Sequence, residues 1–157
     1  MRIRYLPLLL LPFAASCSTG TMRSQDQMCA EIAKFASAAT TGESHAVTLR
    51  GGWGGDTPDV LMTHDCQHSG YEPGKSLCAY LLPNTSWEFG HYNAKRAATC
   101  LDSPDRQDFI RRMDKDEWPA AITSSLRLLP DKYIQVTVRF ESNDLSVLTL
   151  SAARQGN

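Results

Sequence analysis

The sequence predicts an α+β fold in which an antiparallel sheet with a C-terminal β-meander carries two or three helices on one face and is cross-linked by two disulfides. Three observations lead to this prediction. Residues 133–140 alternate polar and apolar side chains, as a half-buried strand does. Apolar residues recur at helical spacing around residues 28–35 and 109–113. The chain of 157 residues contains five cysteines, four of which make an even set for two disulfides.

The N-terminal residues have the layout of an export signal. Two arginines precede an apolar run from Tyr5 to Phe13, and small residues follow it. The run is too short for a transmembrane helix, which needs about 20 apolar residues. Because residues 14–16 (Ala-Ala-Ser) stand directly before Cys17, the segment resembles a bacterial lipoprotein precursor.

This resemblance implies removal of residues 1–16, a diacylglyceryl group on Cys17, and a short tether over residues 17–25. Ser18 stands where lipoproteins retained at the inner membrane typically carry aspartate, which implies the outer membrane, facing the periplasm. The alternative is an ordinary secretory signal that releases a soluble periplasmic protein. The cysteine count favours lipidation, because a modified Cys17 leaves no odd thiol. Residues 26–157 are predicted to form a single globular domain.

The first part of this domain predicts one helix and two strands. Ser24 and Asp26 are candidate caps of a helix whose apolar face contains positions 28, 32 and 35, with Gly42 as the stop signal. We expect a strand from His45 to Arg50 that ends at the glycine-rich "GGWGGD" turn. A second short strand is predicted at "DVLMT".

The middle of the chain predicts further helices. The segment "KSLCAYLLPN" fits a buried strand or a short helix equally well. Thr85 and Glu88 have the spacing of a capping box, so we expect a helix from Ser86 to Leu101. Ser103 and Pro104 are start signals for another helix.

The C-terminal part is rich in β-branched residues and predicts a meander of three strands. These are "SLRLL", the alternating segment from Tyr133 to Phe140, and "LSVLTLSA". The polar residues "ESND" suit the hairpin loop between the last two strands.

Cys29, Cys66, Cys78 and Cys100 are predicted to form the two disulfides, because exported cysteines meet an oxidising environment. Three pairings are possible. If residues 78–83 run extended beside a helix that ends near Cys100, then Cys78 and Cys100 lie side by side and Cys29 pairs with Cys66. This pairing is favoured by chain geometry alone, and the other two stay open.

The stretch "THDCQHSG" offers a different interpretation. His64, Cys66 and His68 supply three of the four ligands that a tetrahedral zinc site needs, with His45 or His91 as the candidate fourth. A disulfide at Cys66 is the preferred reading, and it leaves the two histidines as polar loop residues. We expect no cofactor. An envelope hydrolase or metal-binding protein that uses His64, Asp65 or His68 is the alternative.

The chain is predicted to be a binding protein and not an enzyme. Its formal net charge of -1 gives no indication of nucleic-acid binding. In size, export and cysteine content it resembles small periplasmic inhibitor or immunity proteins, which implies a protein partner such as a toxin or wall hydrolase. A structural or assembly lipoprotein of the outer membrane is a further alternative.

Trp53 either faces a partner or folds back on the core, and the charged run after residue 104 is either a contact surface or a solvated face. The predicted contact residues are Trp53, Asp105, Arg111, Arg112, Asp114, Asp116 and Glu117.

Overall fold

The computed structural model describes residues 26–55, 59–125 and 134–154. The predicted signal, the tether and Cys17 lie outside the described residues. The described part forms four helices and five strands. In chain order these are α1 (Gln27–Ser37), β1 (Ser44–Trp53), β2 (Met62–Gln67), α2 (Glu72–Asn84), α3 (Gly90–Thr99), α4 (Arg106–Asp114), β3 (Ala120–Ser125), β4 (Ile134–Ser142) and β5 (Ser146–Arg154).

The five strands form one antiparallel sheet in the order β2-β1-β5-β4-β3. Strands β3, β4 and β5 form the predicted C-terminal meander, and the β1–β2 hairpin adds to its free β5 edge. Helices α2, α3 and α4 carry the chain from β2 at one edge to β3 at the other. The α+β class, the antiparallel sheet and the two disulfides are therefore confirmed, with four helices among the described residues where two or three were expected.

Alternation along the strands decides which face of the sheet the helices cover. Val47, Val138 and Leu150 lie side by side in the register and are buried. The intervening Thr48 and Thr149, also opposite each other, face the other side and are half-exposed. Since successive side chains point to opposite faces, one face of the sheet contacts the helices and the other is a polar surface in contact with solvent.

The N-terminus of α1 is fastened to two other helices. The Asp26 carboxylate caps α1 by accepting a hydrogen bond from the Met28 backbone N–H at 3.0 Å. The Arg96 guanidinium in α3 donates to both Asp26 oxygens, at 2.8 and 2.9 Å, and to the Asn84 carbonyl at the end of α2, at 2.7 Å. The hydrogen bond from Arg96 is the main reason why the pKa of Asp26 lies below its ordinary value of 3.8.

Both disulfides form between elements that pack against each other, and the pairing favoured by the sequence is wrong. Cys29 in α1 is bonded to Cys100 after α3, and Cys66 in β2 is bonded to Cys78 in α2. The segment after Cys78 is helical and not extended, so it does not lead back to Cys100. Two disulfides indicate an oxidising location outside the cytoplasm.

Strand β1 continues past Arg50, where we expected it to end, through Gly51 and Gly52 to Trp53. A Cβ at Gly51 would lie 2.5 Å from the carbonyl oxygen of Trp87, so only glycine lets that loop approach the strand. Glycine here permits close packing within a strand and does not mark a turn. Strand β2 begins at Met62, later than predicted, and includes the "THDCQ" stretch.

Other boundaries differ for local reasons. Helix α3 begins at Gly90, because the Ser86 hydroxyl accepts hydrogen bonds from the backbone N–H groups of Glu88 and Phe89 and forms a turn there. The expected capping box is absent from this segment, as the Thr85 hydroxyl donates to the Leu81 carbonyl at 2.6 Å. "KSLCAYLLPN" belongs to helix α2. The first meander strand precedes the predicted "SLRLL", of which residues 126–129 lie outside the described ranges.

Helix α1 ends at Ser37, five residues before the predicted stop at Gly42. Within residues 26–55, 59–125 and 134–154, no helix combines the length and the apolar character that crossing a bilayer requires.

Candidate functional site

The histidine and cysteine stretch of β2 does not assemble the alternative site that its sequence suggested. The sulfur of Cys66 is bonded to Cys78 and cannot ligate zinc. His64 lies on the helix-facing side of β2, with its Nε2 3.5 Å from the Thr85 hydroxyl, whereas Asp65 lies on the opposite face. Among the described residues no three His, Cys, Asp or Glu side chains are grouped to hold a metal ion. The predicted ligand set is therefore dispersed.

A shallow groove of about 370 Å³ between α1 and α2 could hold a small molecule. Its floor contains Phe35 and Leu77, and its rim contains Glu31, Lys34 and Glu72. The hydrogen bond from Lys34, followed by one from Gln27, lowers the pKa of Glu31. A carboxyl with a lowered pKa stays ionised at neutral pH and is a poor general acid. The groove therefore has the apolar floor of a binding site without an evident catalytic group.

Exposed aromatic and apolar side chains cluster at the loop end of the β1–β2 hairpin and at the start of α3. Trp53 is opposite Met62 in the register, and its ring meets that of Trp87 edge to face, with centroids 4.8 Å apart. Phe89 follows two residues later and contacts Tyr92, with centroids 6.0 Å apart. We call this set the aromatic surface. Its members, with exposed fractions where these exceed a third, are Trp53 (66%), Leu61 (84%), Met62 (51%), Trp87, Phe89 (48%) and Tyr92 (55%).

The loop that carries Trp87 is held in place from both sides. Asn93, a buried polar residue of α3, accepts a hydrogen bond from the Ser86 N–H at 3.1 Å and donates one to the Ser86 carbonyl at 2.6 Å. On its other side the loop rests on Gly51, which leaves room for the Trp87 backbone. The aromatic surface is thus displayed on a fixed backbone, because a buried amide with both hydrogen bonds made favours one loop conformation.

The charged run that was predicted as a contact surface forms α4 and the turn after it, and most of its charges have partners within the protein. Arg111 pairs with Asp108, and Arg112 lies 3.9 Å from Glu117 and donates to the Pro119 carbonyl. Asp105 precedes α4, and Asp116 follows it with a positive φ of 55°. Both are exposed. Such paired, exposed charges are typical of a solvated helix face.

Lys95 links α4 to the aromatic surface. The Lys95 ammonium bonds to the Asp114 carboxylate at 2.7 Å and lies 4.6 Å from the centre of the Tyr92 ring. The predicted contact residues therefore fall into two groups, with Trp53 in the aromatic surface and the α4 charges outside it. Whether either group binds a partner stays a prediction.

Sequence reasoning missed three members of this surface. Trp87 and Phe89 were assigned to the first turn of a long helix, and Tyr92 to its body. The signal was present, because "WEFGHY" places three large aromatic residues within six positions and a single helical stripe cannot bury them all. By contrast, Trp118 does pack on the core, with its ring 5.5 Å from that of Phe140.

No protein-family model matches the chain, and neither the curated proteins nor the solved structures contain a match to it.

Proposed function

We propose that this protein is a lipid-anchored binding protein of the bacterial cell envelope, which docks a protein partner through the aromatic surface. The observation that carries the proposal is the display of large aromatic and apolar side chains, adjacent to one another and exposed to solvent. Contiguous exposed apolar side chains on a folded protein typically mark an interaction site, whereas isolated ones need no explanation.

The composition of the surface fits a protein partner. Tryptophan and tyrosine dominate the binding energy of many interfaces, because they bury a large area at a small cost in side-chain entropy. Trp53 offers such an anchor, with Trp87 supporting it edge to face. The fixed loop around Ser86 and Asn93 adds to this, since a surface that is already ordered loses little entropy on binding.

The cysteine inventory supports lipid anchoring. Cys29, Cys66, Cys78 and Cys100 are all used in disulfides, which leaves Cys17 as the remaining cysteine of the chain. The described chain begins at Asp26, and the nine residues from Cys17 to Gln25 span at most about 30 Å when extended. An acylated Cys17 therefore keeps the start of the domain within about 30 Å of the membrane, in reach of soluble proteins of the periplasm.

Intact-mass analysis of protein recovered from its host membranes tests the anchor. We expect a mature chain that begins at Cys17, carries acyl groups and has no titratable thiol after denaturation without reductant. A mature chain without acyl groups, or with one reactive thiol, would contradict lipid anchoring at Cys17.

Within this function we favour the inhibitor or immunity class, in which the partner is a toxin or wall hydrolase. Structural lipoproteins bind other membrane components instead. Affinity capture separates the two, with the tagged full chain exposed to envelope and secreted extracts. We expect a soluble protein to be captured, and its enzymatic or toxic activity to fall when the two are mixed.

A matched pair of variants makes the capture specific. Trp53→Ala removes the anchor from the aromatic surface, and Arg139→Ala removes an exposed side chain from the solvent-facing side of the sheet. We expect the first variant to lose at least about 1 kcal/mol of binding, which is a roughly fivefold loss of affinity, and the second to bind as the unaltered protein does. Equal capture by both variants would contradict docking through the aromatic surface.

A further inference from the structure

Acidic residues border the aromatic surface. Asp59 lies in the hairpin loop between Trp53 and Met62, and Glu88 lies between two members of the surface. Asp144 lies in the β4–β5 turn. Its backbone oxygen is 3.7 Å from the position that a Cβ at residue 52 would occupy. All three carboxylates are exposed. Three separate loops thus carry exposed carboxylates within or next to the aromatic surface.

These carboxylates are not neutralised by a basic residue in their own loops. The segments 54–61, 85–89 and 143–145 contain no lysine or arginine. None of the three carboxylates forms an ion pair with any residue in the described ranges. Lys95, whose ammonium lies 4.6 Å from the centre of the Tyr92 ring, is already bonded to Asp114. The charge at the edge is therefore available to a partner.

We infer that the partner is a basic protein, which presents an apolar pocket surrounded by lysine and arginine side chains. This inference rests on the proposed function and names the chemistry of its partner. Complementary charge around an apolar centre increases the association rate and excludes partners of the wrong sign. Charges at the edge of an interface act in this way even when they add little to the affinity.

The same charges argue against two other occupants. An anionic lipid surface repels carboxylates, although its interface accommodates tryptophan and tyrosine. A second copy of the chain, related by a twofold axis through the aromatic surface, would place Asp59, Glu88 and Asp144 opposite equal charges, which is unfavourable in an isologous interface.

Two synthetic peptides test the inference even while the partner is unidentified. Both carry leucine and tryptophan at the same positions, and their polar positions are all lysine in one and all glutamate in the other. The full chain, labelled at its C-terminus with a fluorophore, is titrated with each peptide and with vesicles of phosphatidylethanolamine and phosphatidylglycerol. We expect the lysine peptide to bind at least about tenfold more tightly than the glutamate peptide. We also expect the affinity for the lysine peptide to fall as salt is raised to about 0.5 M. The vesicles should change the fluorescence of the label no more than insertion of the lipid anchor alone does.

A matched pair of triple variants assigns the effect to these carboxylates. Asp59→Asn with Glu88→Gln and Asp144→Asn neutralises the edge of the aromatic surface. Glu31→Gln with Glu72→Gln and Asp108→Asn removes the same charge from α1, α2 and α4. We expect at least a fivefold loss of lysine-peptide affinity in the first variant and less than a twofold change in the second. Trp53→Ala tells whether the peptide binds at the aromatic surface.

Several results would overturn the inference. They are equal binding of the two peptides, binding of neither, equal effects of the two triple variants, and vesicle binding that depends on Trp53. These failures are distinct from failure of the proposed function. If a partner is captured through Trp53 but the protein does not prefer the lysine peptide, the proposed binding function stands and only the inference of a basic partner is refuted. Preference for the lysine peptide, without a protein captured through Trp53, supports the charge and contradicts the proposed docking.

Discussion

The two disulfides are expected to contribute unequally to stability, because they close loops of very different length. Cys29 and Cys100 are separated by 71 positions, and Cys66 and Cys78 by 12. The loop-entropy relation assigns about 4.4 kcal/mol to the longer loop and about 2.8 kcal/mol to the shorter one. Removing the long-range disulfide is therefore expected to cost about 1.6 kcal/mol more than removing the other.

Removing either disulfide should disturb the surrounding packing to a similar extent. Each disulfide joins one buried and one half-buried cysteine, Cys29 with Cys100 and Cys78 with Cys66. Replacing both members of a pair by alanine therefore removes similar packing in the two cases. Urea unfolding of the two double variants measures the difference, and with a slope of about 2 kcal/mol per molar the midpoints should differ by about 0.8 M.

The same variants also test the pairing itself. If the pairs are those of the structure, Cys29→Ala with Cys100→Ala leaves the other disulfide closed, and no new thiol titrates after denaturation. If the pairs were Cys78 with Cys100 and Cys29 with Cys66, either double variant would break both disulfides and release two thiols. Two new thiols, or equal unfolding midpoints for the two variants, would refute the reasoning.

Three further predictions follow from the contacts of individual residues. Asp26→Asn keeps the helix cap but removes the charge. The lowered pKa of Asp26 stabilises the fold above about pH 4 and this contribution is lost as the pH falls through the lowered value, so the variant should show a smaller drop in urea midpoint between pH 7 and pH 3 than the unaltered protein. Gly51→Ala forces a Cβ against the Trp87 backbone, and we expect it to cost about 1–3 kcal/mol and to shift tryptophan fluorescence; an unchanged midpoint would contradict the close approach. Asn93→Ala leaves the Ser86 backbone without its two partners and should cost about 1–3 kcal/mol in unfolding experiments, with weaker lysine-peptide binding in the folded variant.

The fold class was predictable because its signals are local. The alternation around Val136 and Val138 needs only neighbouring residues to indicate a half-buried strand, and the capping carboxylate of Asp26 stands directly before its helix. The disulfide pairing depended on whether residues 78–83 are helical or extended. A short apolar run does not decide this, because Ala79 and Leu82 are apolar although exposed and so hide the one-sided burial of the helix.

The candidate site was predictable only in part for a related reason. Trp53 follows a pair of glycines that suggested a turn, and the role of Gly51 becomes clear only beside Trp87, which lies on a different segment of the chain. Long-range contacts of this kind leave no trace in local composition. The exposure of Phe89 and Tyr92 likewise depends on where α3 begins, which is set by the hydrogen bonds of Ser86 and not by helix propensity.

The bond between Cys29 and Cys100 also has a mechanical consequence. In a protein that is held by its N-terminus, any tension enters the fold at the first turn of α1, where a helix end ordinarily unravels first. Here the pulling force meets a covalent cross-link within three residues of Asp26 and passes into α3. If Cys17 is lipidated as proposed, tension transmitted through residues 17–25 therefore loads α1 and α3 together and does not unwind α1 first.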